Sequence, residues 1–303
     1  MLKASIDIGS NSILLLVAEV NEGKLYEKRS EARITGLGKN LDQSQEFNEQ
    51  AMNDSFAVLE EYREIVREYG LTPEEATVTA TEAMRVARNA PQFCREVKQR
   101  IGFDIVLISG EGEAYYTGLG VTGTHAELDR QEVIMDIGGA STELLKVETS
   151  PYQLHHTCSL PIGSVRGTDF ISTGIFEEKV DAIFRDSDLS SYTTPRLYCV
   201  AGTMTSLAAM IKGHKTFEES AVDGLEITFS ELGHFYERIK KKASNDLNNE
   251  YPYLGKRAKT IVGGCRVAKV FCEKLKTESL IISKSGLRYG TLMAGDIHER
   301  FRK

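Results

Sequence analysis

The chain has 303 residues, is 41% hydrophobic and 27% charged, and carries a formal charge of −7, a balance that describes a globular protein without disordered tracts and whose length predicts two domains. The acidic excess argues against general nucleic-acid binding, because non-specific affinity for nucleic acid comes from neutralising phosphates with Lys and Arg. The five cysteines are scattered with no CxxC pair, which fits a reducing compartment. The first strand begins almost at Met1 and no apolar run approaches membrane-spanning length, so a cytoplasmic location without membrane contact is expected.

Taken in order, residues 2–8, 12–20 and 24–34 read as a meander of three strands, with Asn21-Glu22-Gly23 as a turn. A glycine-punctuated loop at 35–39 follows, and then apolar residues at three- and four-residue steps predict a helix over 44–69 closed by Gly70. A buried strand at 76–80, helices over 81–89 and up to Arg100, a strand at 104–108 and a helix at 111–119 complete the first half. The second half repeats the order. Strands at 133–136, 142–147 and 153–159 form another meander, followed by helices at 163–171 and 177–184 and a buried strand at 197–200. The rest is mostly helical, at 229–242, 260–275 and 288–301, with a short strand at 280–283. The halves are expected to join within 122–130, giving domains 1–124 and 125–303, with the last helix free to pack back on the first domain.

The sequence Asp7-Ile8-Gly9-Ser10-Asn11-Ser12 returns in the second half as Asp136-Ile137-Gly138-Gly139-Ala140-Ser141, with four of six positions identical. Each copy lies between two apolar runs, as in a strand, a tight polar turn and a second strand. Glycines let a backbone approach a ligand and aim N–H groups at it, and Ser and Asn add donors, which suits phosphate oxygens. Gly9, Ser10, Asn11, Ser12, Gly138, Gly139, Ala140, Ser141 and Thr142 are therefore expected to bind phosphate. A carboxylate beside a bare phosphate would repel it, so Asp7 and Asp136 imply a divalent cation, Mg2+ or Mn2+, held with Glu143. Glu143 is two residues beyond Ser141 in an extended segment, so both side chains point the same way. A third glycine turn, Ala201-Gly202-Thr203, leads from a strand end into a helix and offers Gly202 and Thr203 as phosphate donors. Lys256, Arg257, Lys259, Arg266 and Lys269 form the best candidate for an extended anion path.

Two βββαβα halves with acidic, glycine-bearing hairpins resemble the actin, sugar kinase and heat-shock chaperone superfamily. More narrowly, the chain resembles the exopolyphosphatase and guanosine pentaphosphate phosphohydrolase family from its first strand to its last helix. The carriers are the two Asp-Ile-Gly segments, residues 80–89 around Thr81-Glu82-Ala83-Met84-Arg85, residues 108–114 (Ile-Ser-Gly-Glu-Gly-Glu-Ala), Leu160-Pro161-Ile162-Gly163-Ser164-Val165-Arg166, and Gly286-Leu287-Arg288-Tyr289-Gly290. The resemblance implies an α/β fold of two duplicated actin-like (ribonuclease H-like) domains, each a mixed sheet flanked by helices, with the active site in the cleft between them. It further implies a Mg2+-dependent hydrolase that removes terminal phosphate from polyphosphate or guanosine pentaphosphate, and a homodimer. The family's water-activating glutamate matches Glu113 best. The family usually carries two adjacent glutamates, whereas here Gly112 stands before Glu113 with Glu111 one place further back, so either carboxylate is a candidate to position the water. Ala140 stands where a third glycine is common. Arg85 is expected to bind phosphate oxygens. Two rivals stand beside the hydrolase: a kinase of the same fold, and a sensor that binds guanosine tetra- or pentaphosphate without turnover.

Overall fold

The computed structural model describes residues 1–21, 24–39, 41–125 and 131–303, apart from the side chain of residue 42. The turn expected at Asn21-Glu22-Gly23 and the join expected at 122–130 thus fall largely outside the described residues. The chain divides into two units, one comprising Met1–Thr124 together with Ser285–Lys303, the other His125–Lys284. The first unit is therefore discontinuous: the last nineteen residues, expected in the domain 125–303, group with the first unit instead.

In the first unit β1 (Leu2–Ile8), β2 (Ser12–Asn21) and β3 (Lys24–Ile34) form the expected meander, followed by the short α1 (Leu41–Ser44) and α2 (Glu49–Glu68). The helix expected from residue 44 starts later because the Asn48 side chain caps it, accepting from the Ala51 N–H at 2.8 Å. Then come β4 (Ala76–Ala80), α3 (Glu82–Val86), α4 (Ala90–Arg100), β5 (Ile105–Leu107) and α5 (Gly110–Thr124). The sheet order is β3-β2-β1-β4-β5, with the meander antiparallel and β1, β4 and β5 parallel.

The unbroken apolar run of β2 is explained by burial on both faces. Ile13, Leu15 and Val17 belong to the core that includes Phe56, Leu59 and Tyr62 of α2, whereas Leu16 and Ala18 pack with Tyr289 and Leu292 from the end of the chain.

The second unit repeats the scheme with β6 (Gln131–Ile137), β7 (Thr142–Thr149), β8 (Tyr152–Leu160), α6 (Ser164–Ser172), α7 (Phe176–Arg185), β9 (Arg196–Val200) and α8 (Ala201–Ile211). It continues with α9 (Glu219–Val222), β10 (Glu226–Thr228), α10 (Phe229–Ile239), α11 (Ser244–Glu250), α12 (Ile261–Leu275) and β11 (Ser279–Ile282). The sheet order is β10-β11-β9-β6-β7-β8. The edge strand β10 was not foreseen from the sequence, since three residues are too few to show alternation. All five cysteines are free thiols, with Cys265 and Cys272 buried in the core of this unit.

Back in the first unit, α13 (Leu287–Ala294) covers the second face of the sheet. The helix expected over 288–301 stops early because Gly295 takes a left-handed φ of 83°, and the chain resumes as a single 3-10 turn, Glu299–Phe301. Helix α13 meets α5 backbone to backbone: a Cβ on Gly290 would lie 1.7 Å from the Tyr116 carbonyl oxygen, and one on Gly120 would lie 2.3 Å from the Gly286 carbonyl oxygen. No helix among the described residues is long and apolar enough to cross a membrane.

The α5–α13 contact makes a directional prediction. Gly290→Ala should cost about 3 kcal/mol or more of stability through overpacking. Gly233→Ala in α10, where a Cβ meets nothing within 4 Å, should be neutral or gain up to about 1 kcal/mol. Urea unfolding of the two variants checks both signs.

Candidate active site

The two acidic turns close in the same way. The Gly9 N–H donates to the Ser12 carbonyl at 3.0 Å, and the Gly138 N–H to the Ser141 carbonyl at 3.0 Å. Their outer carbonyls are braced by different neighbours. In the first unit the Gly38 N–H donates to the Ser10 carbonyl (2.7 Å), while the Thr35 and Gly36 N–H groups donate to Asn11 (3.1 and 3.0 Å). In the second, the start of α6 does this work. The Ser164 N–H donates to Gly138 (2.9 Å), the Val165 N–H to Gly139 (2.8 Å), and the Arg166 guanidinium to the Ala140 carbonyl (2.7 Å). Glycine is required at 163, where a Cβ would lie 2.6 Å from both the Gly138 and Gly139 carbonyl oxygens. With the carbonyls taken, no described hydrogen bond uses the N–H groups of Ser10, Asn11, Gly139 or Ala140, which leaves two backbone donors per turn for an anion.

The carboxylates sit at the strand ends beneath these turns. Asp7 lies opposite Leu14 on β2 and Thr79 on β4. Its Oδ1 is buried and finds no hydrogen-bond partner among the described residues. Burial pushes its pKa up to about 6, and the nearby positive charge of Arg288 pulls the other way. Arg288 is itself directed elsewhere, donating to the Leu15 carbonyl at 2.6 Å and the Ser30 hydroxyl at 3.2 Å. In the second unit Asp136 lies directly opposite Glu143 on β7, and the Glu143 carboxylate accepts a hydrogen bond from Ser159 on β8 at 2.8 Å. Each unit thus places a carboxylate at the strand end beneath its glycine turn.

These donors fit Mg2+ chemically, since hard carboxylate oxygens suit it. Among the described residues no three His, Cys, Asp or Glu side chains converge to form a closed cage.

Glu113 and Arg85 are brought together by α3 and α5. Ser109 starts α5, accepting from the Gly112 N–H through its hydroxyl (3.1 Å) and from the Glu113 N–H through its carbonyl (2.9 Å). The half-buried Glu113 carboxylate receives both terminal nitrogens of Arg85, at 3.1 and 3.2 Å, and Arg85 also donates to the Ile108 carbonyl at 2.8 Å. Glu111 is exposed on the same first turn. The geometry therefore distinguishes the two carboxylates that the sequence leaves open: of the two, Glu113 is the one fixed by a described ion pair.

Other expected donors are placed differently. The Thr142 hydroxyl is fully buried and donates to the Ile162 carbonyl at 2.5 Å, so it braces the hairpin rather than reaching phosphate. The Thr203 side chain is buried, with its methyl against Gly264 of α12. At Gly202 a Cβ would lie 2.3 Å from the Arg257 guanidinium, which also donates to Ser206 at 2.9 Å. Ala201, just before, has a left-handed φ of 71°, an uncommon conformation for a residue with a Cβ. Of the basic group, Arg257 lies against this turn. Arg266 pairs with Glu177 at 2.5 Å and Lys269 with Glu273 at 2.5 Å, so the expected path does not form as one stripe. Arg288 and Ser159 were missed as neighbours of the carboxylates; only the Leu287-Arg288-Tyr289 motif signalled the first.

A three-strand meander extended by parallel strands, present once in each unit and bearing an acidic glycine turn each time, is the actin-like fold. The chain belongs to the Ppx/GppA phosphatase family, whose model matches residues 16–296. It is similar to the Ppx/GppA family member of Aquifex aeolicus, at 30% identity over 97% of both chains with a TM-score of 0.79. It is 26% identical over 295 residues to exopolyphosphatase 2 of Mycobacterium tuberculosis, covering 90% of each. It is also 27% identical to a bifunctional 3-dehydroquinate synthase/phosphatase of Fusobacterium nucleatum, of which the chain spans 46%.

The desolvated Asp7 carboxylate yields a signed pH prediction. Its folded pKa of about 6 lies above the ordinary 3.8, so the folded state holds its proton longer than the unfolded one. Stability from this group is present below about pH 4 and is lost as pH rises through 6. In metal-free buffer Asp7→Asn should therefore melt higher than the parent above pH 6, with an advantage that shrinks towards pH 4. Thermal melts of both proteins across that range provide the check.

Proposed function

We propose that this protein is a phosphoanhydride hydrolase that releases terminal phosphate from inorganic polyphosphate or from guanosine pentaphosphate, with Mg2+ or Mn2+ as its cofactor. The observation that carries the reading is the Glu113–Arg85 pair, a fixed carboxylate on the same unit as the phosphate-suited turn at Gly9 to Ser12. The names of the similar proteins support polyphosphate as substrate.

In this reading the N–H groups of Ser10, Asn11, Gly139 and Ala140 bind phosphate oxygens, and Glu113 orients the attacking water. The water oxygen bonds to the terminal phosphorus, the bridging P–O bond breaks, the shortened chain leaves as an anion, and the water proton passes towards Glu113. Phosphoryl transfer asks little covalent chemistry of a protein and much positioning, so a carboxylate steadied by Arg85 is suited to the task. Arg85 keeps its bond to the Ile108 carbonyl while its second nitrogen can turn to a phosphate oxygen. Asp7 in the first unit, and Asp136 with Glu143 in the second, are the carboxylates that would hold a divalent cation, which would neutralise charge on the substrate oxygens.

Phosphate release from long polyphosphate, short polyphosphate, guanosine pentaphosphate and ATP, each with and without Mg2+, tests the reading. Release from polyphosphate without any acceptor and only with the cation is expected, and Glu113→Gln should lower kcat by about 100-fold or more with binding largely kept. Tight guanosine polyphosphate binding with no turnover in the parent would favour the sensor, and a requirement for an acceptor would favour the kinase.

A further inference from the structure

The first turn of α5, which carries Glu113, is covered by a segment from the opposite end of the sequence. After Gly295 the chain runs past Ile297 and His298 into the turn Glu299–Phe301 and returns to the sheet, where Arg302 bridges Ile108 in antiparallel fashion. The Ser109 N–H donates to the Phe301 carbonyl at 2.8 Å, and the Lys303 N–H to the Leu107 carbonyl at 2.9 Å. Phe301 is 1% exposed. Its ring lies 5.0 Å from that of Tyr115 and 5.5 Å from that of Tyr116, and the Tyr116 hydroxyl accepts from the His298 N–H at 2.8 Å.

Gly112 is the residue that admits this segment. A Cβ there would lie 2.7 Å from the Phe301 Cβ and 3.1 Å from its Cγ. A Cβ position does not change with rotamer, so side-chain rearrangement cannot relieve the clash; either α5 or the segment must move. Two hydrogen bonds then connect the wedge to the reacting carboxylate: the Ser109 N–H donates to Phe301, and the Ser109 carbonyl accepts from the Glu113 N–H.

We propose that residues 297–303 are a positioning element for the reaction, with Phe301 seated against Gly112 to set the height and rotation of the first α5 turn, and through it the Glu113 carboxylate. This rests on the assignment of Glu113 made above. The glycine that interrupts the expected pair of glutamates is, on this account, one half of a matched contact whose other half is Phe301.

The test compares Gly112→Ala, Phe301→Gly, the double variant and Glu113→Gln, by kcat and KM on long polyphosphate well below each melting midpoint. Displacement of a catalytic group by about 1 Å costs up to about 100-fold, so each of the first two variants should lose about 10-fold or more in kcat with KM little changed. The double variant should lose much less than the product of the single losses, because the methyl added at position 112 then meets neither a Cβ nor a ring at position 301. Should Phe301→Gly fail to fold, Phe301→Leu and Gly112→Ala carry the comparison of kcat with KM. Unchanged kcat in folded single variants, losses that simply multiply, or losses confined to KM would overturn the proposal while leaving Glu113 in place. Full activity in Glu113→Gln would overturn the functional assignment and the positioning role with it.

Discussion

The structure depends most on a half-buried carboxylate at the end of β1, one oxygen of which is buried and finds no hydrogen-bond partner among the described residues. An ionised carboxylate buried without a hydrogen bond is costly enough that such groups normally shift their pKa or acquire a counter-charge. Asp7 does the first, and Arg288 stands near while donating to Leu15 instead. The second unit sets Asp136 against Glu143 across one ladder pair. The equivalent place in the first unit is Leu14. The duplication thus preserves the turn and varies what faces it, Leu14 in one unit and Glu143 in the other.

Rigidity around these turns comes from close backbone contact rather than from large side chains. Glycines 120 and 290 let α13 lie directly on α5. Arg288 on α13 reaches the carbonyl of Leu15 in β2, just past the first turn, while Glu113 on α5 is anchored by Arg85. The acidic turn and the Glu113 carboxylate are therefore held by two helices that cannot slide without overlapping backbone atoms. In the second unit the N-terminal turn of α6 braces the hairpin carbonyls, and Gly163 is the position that makes the approach close enough.

Much of this was legible in the sequence because it is local. Period-two apolar runs and glycine-bearing turns located the strands, and the repeated Asp-Ile-Gly segment located the duplicated hairpins. Features set by long-range packing were not legible. That 285–303 completes the first unit follows from Leu16 and Ala18 needing a cover for the second face of β2, which no pattern in β2 identifies with α13. Thr142 reads as a donor beside Ser141, yet its hydroxyl is spent on Ile162. Gly112 reads as a missing glutamate until Phe301 is seen against it. That Glu113 pairs with Arg85 while Glu111 stands exposed was likewise not legible in the sequence.

The proposed role of Asp7 is to meet a cation brought together with phosphate. A carboxyl NMR titration of Asp7, run on metal-free protein and again with Mg2+ and a non-hydrolysable polyphosphate analogue, tests it most directly. The account predicts a midpoint near 6 in the metal-free protein and a fall to about 4 or below with cation and analogue, as expected for a carboxylate beside positive charge. A midpoint near 3.8 without metal, or one left unmoved by cation and analogue together, would contradict it.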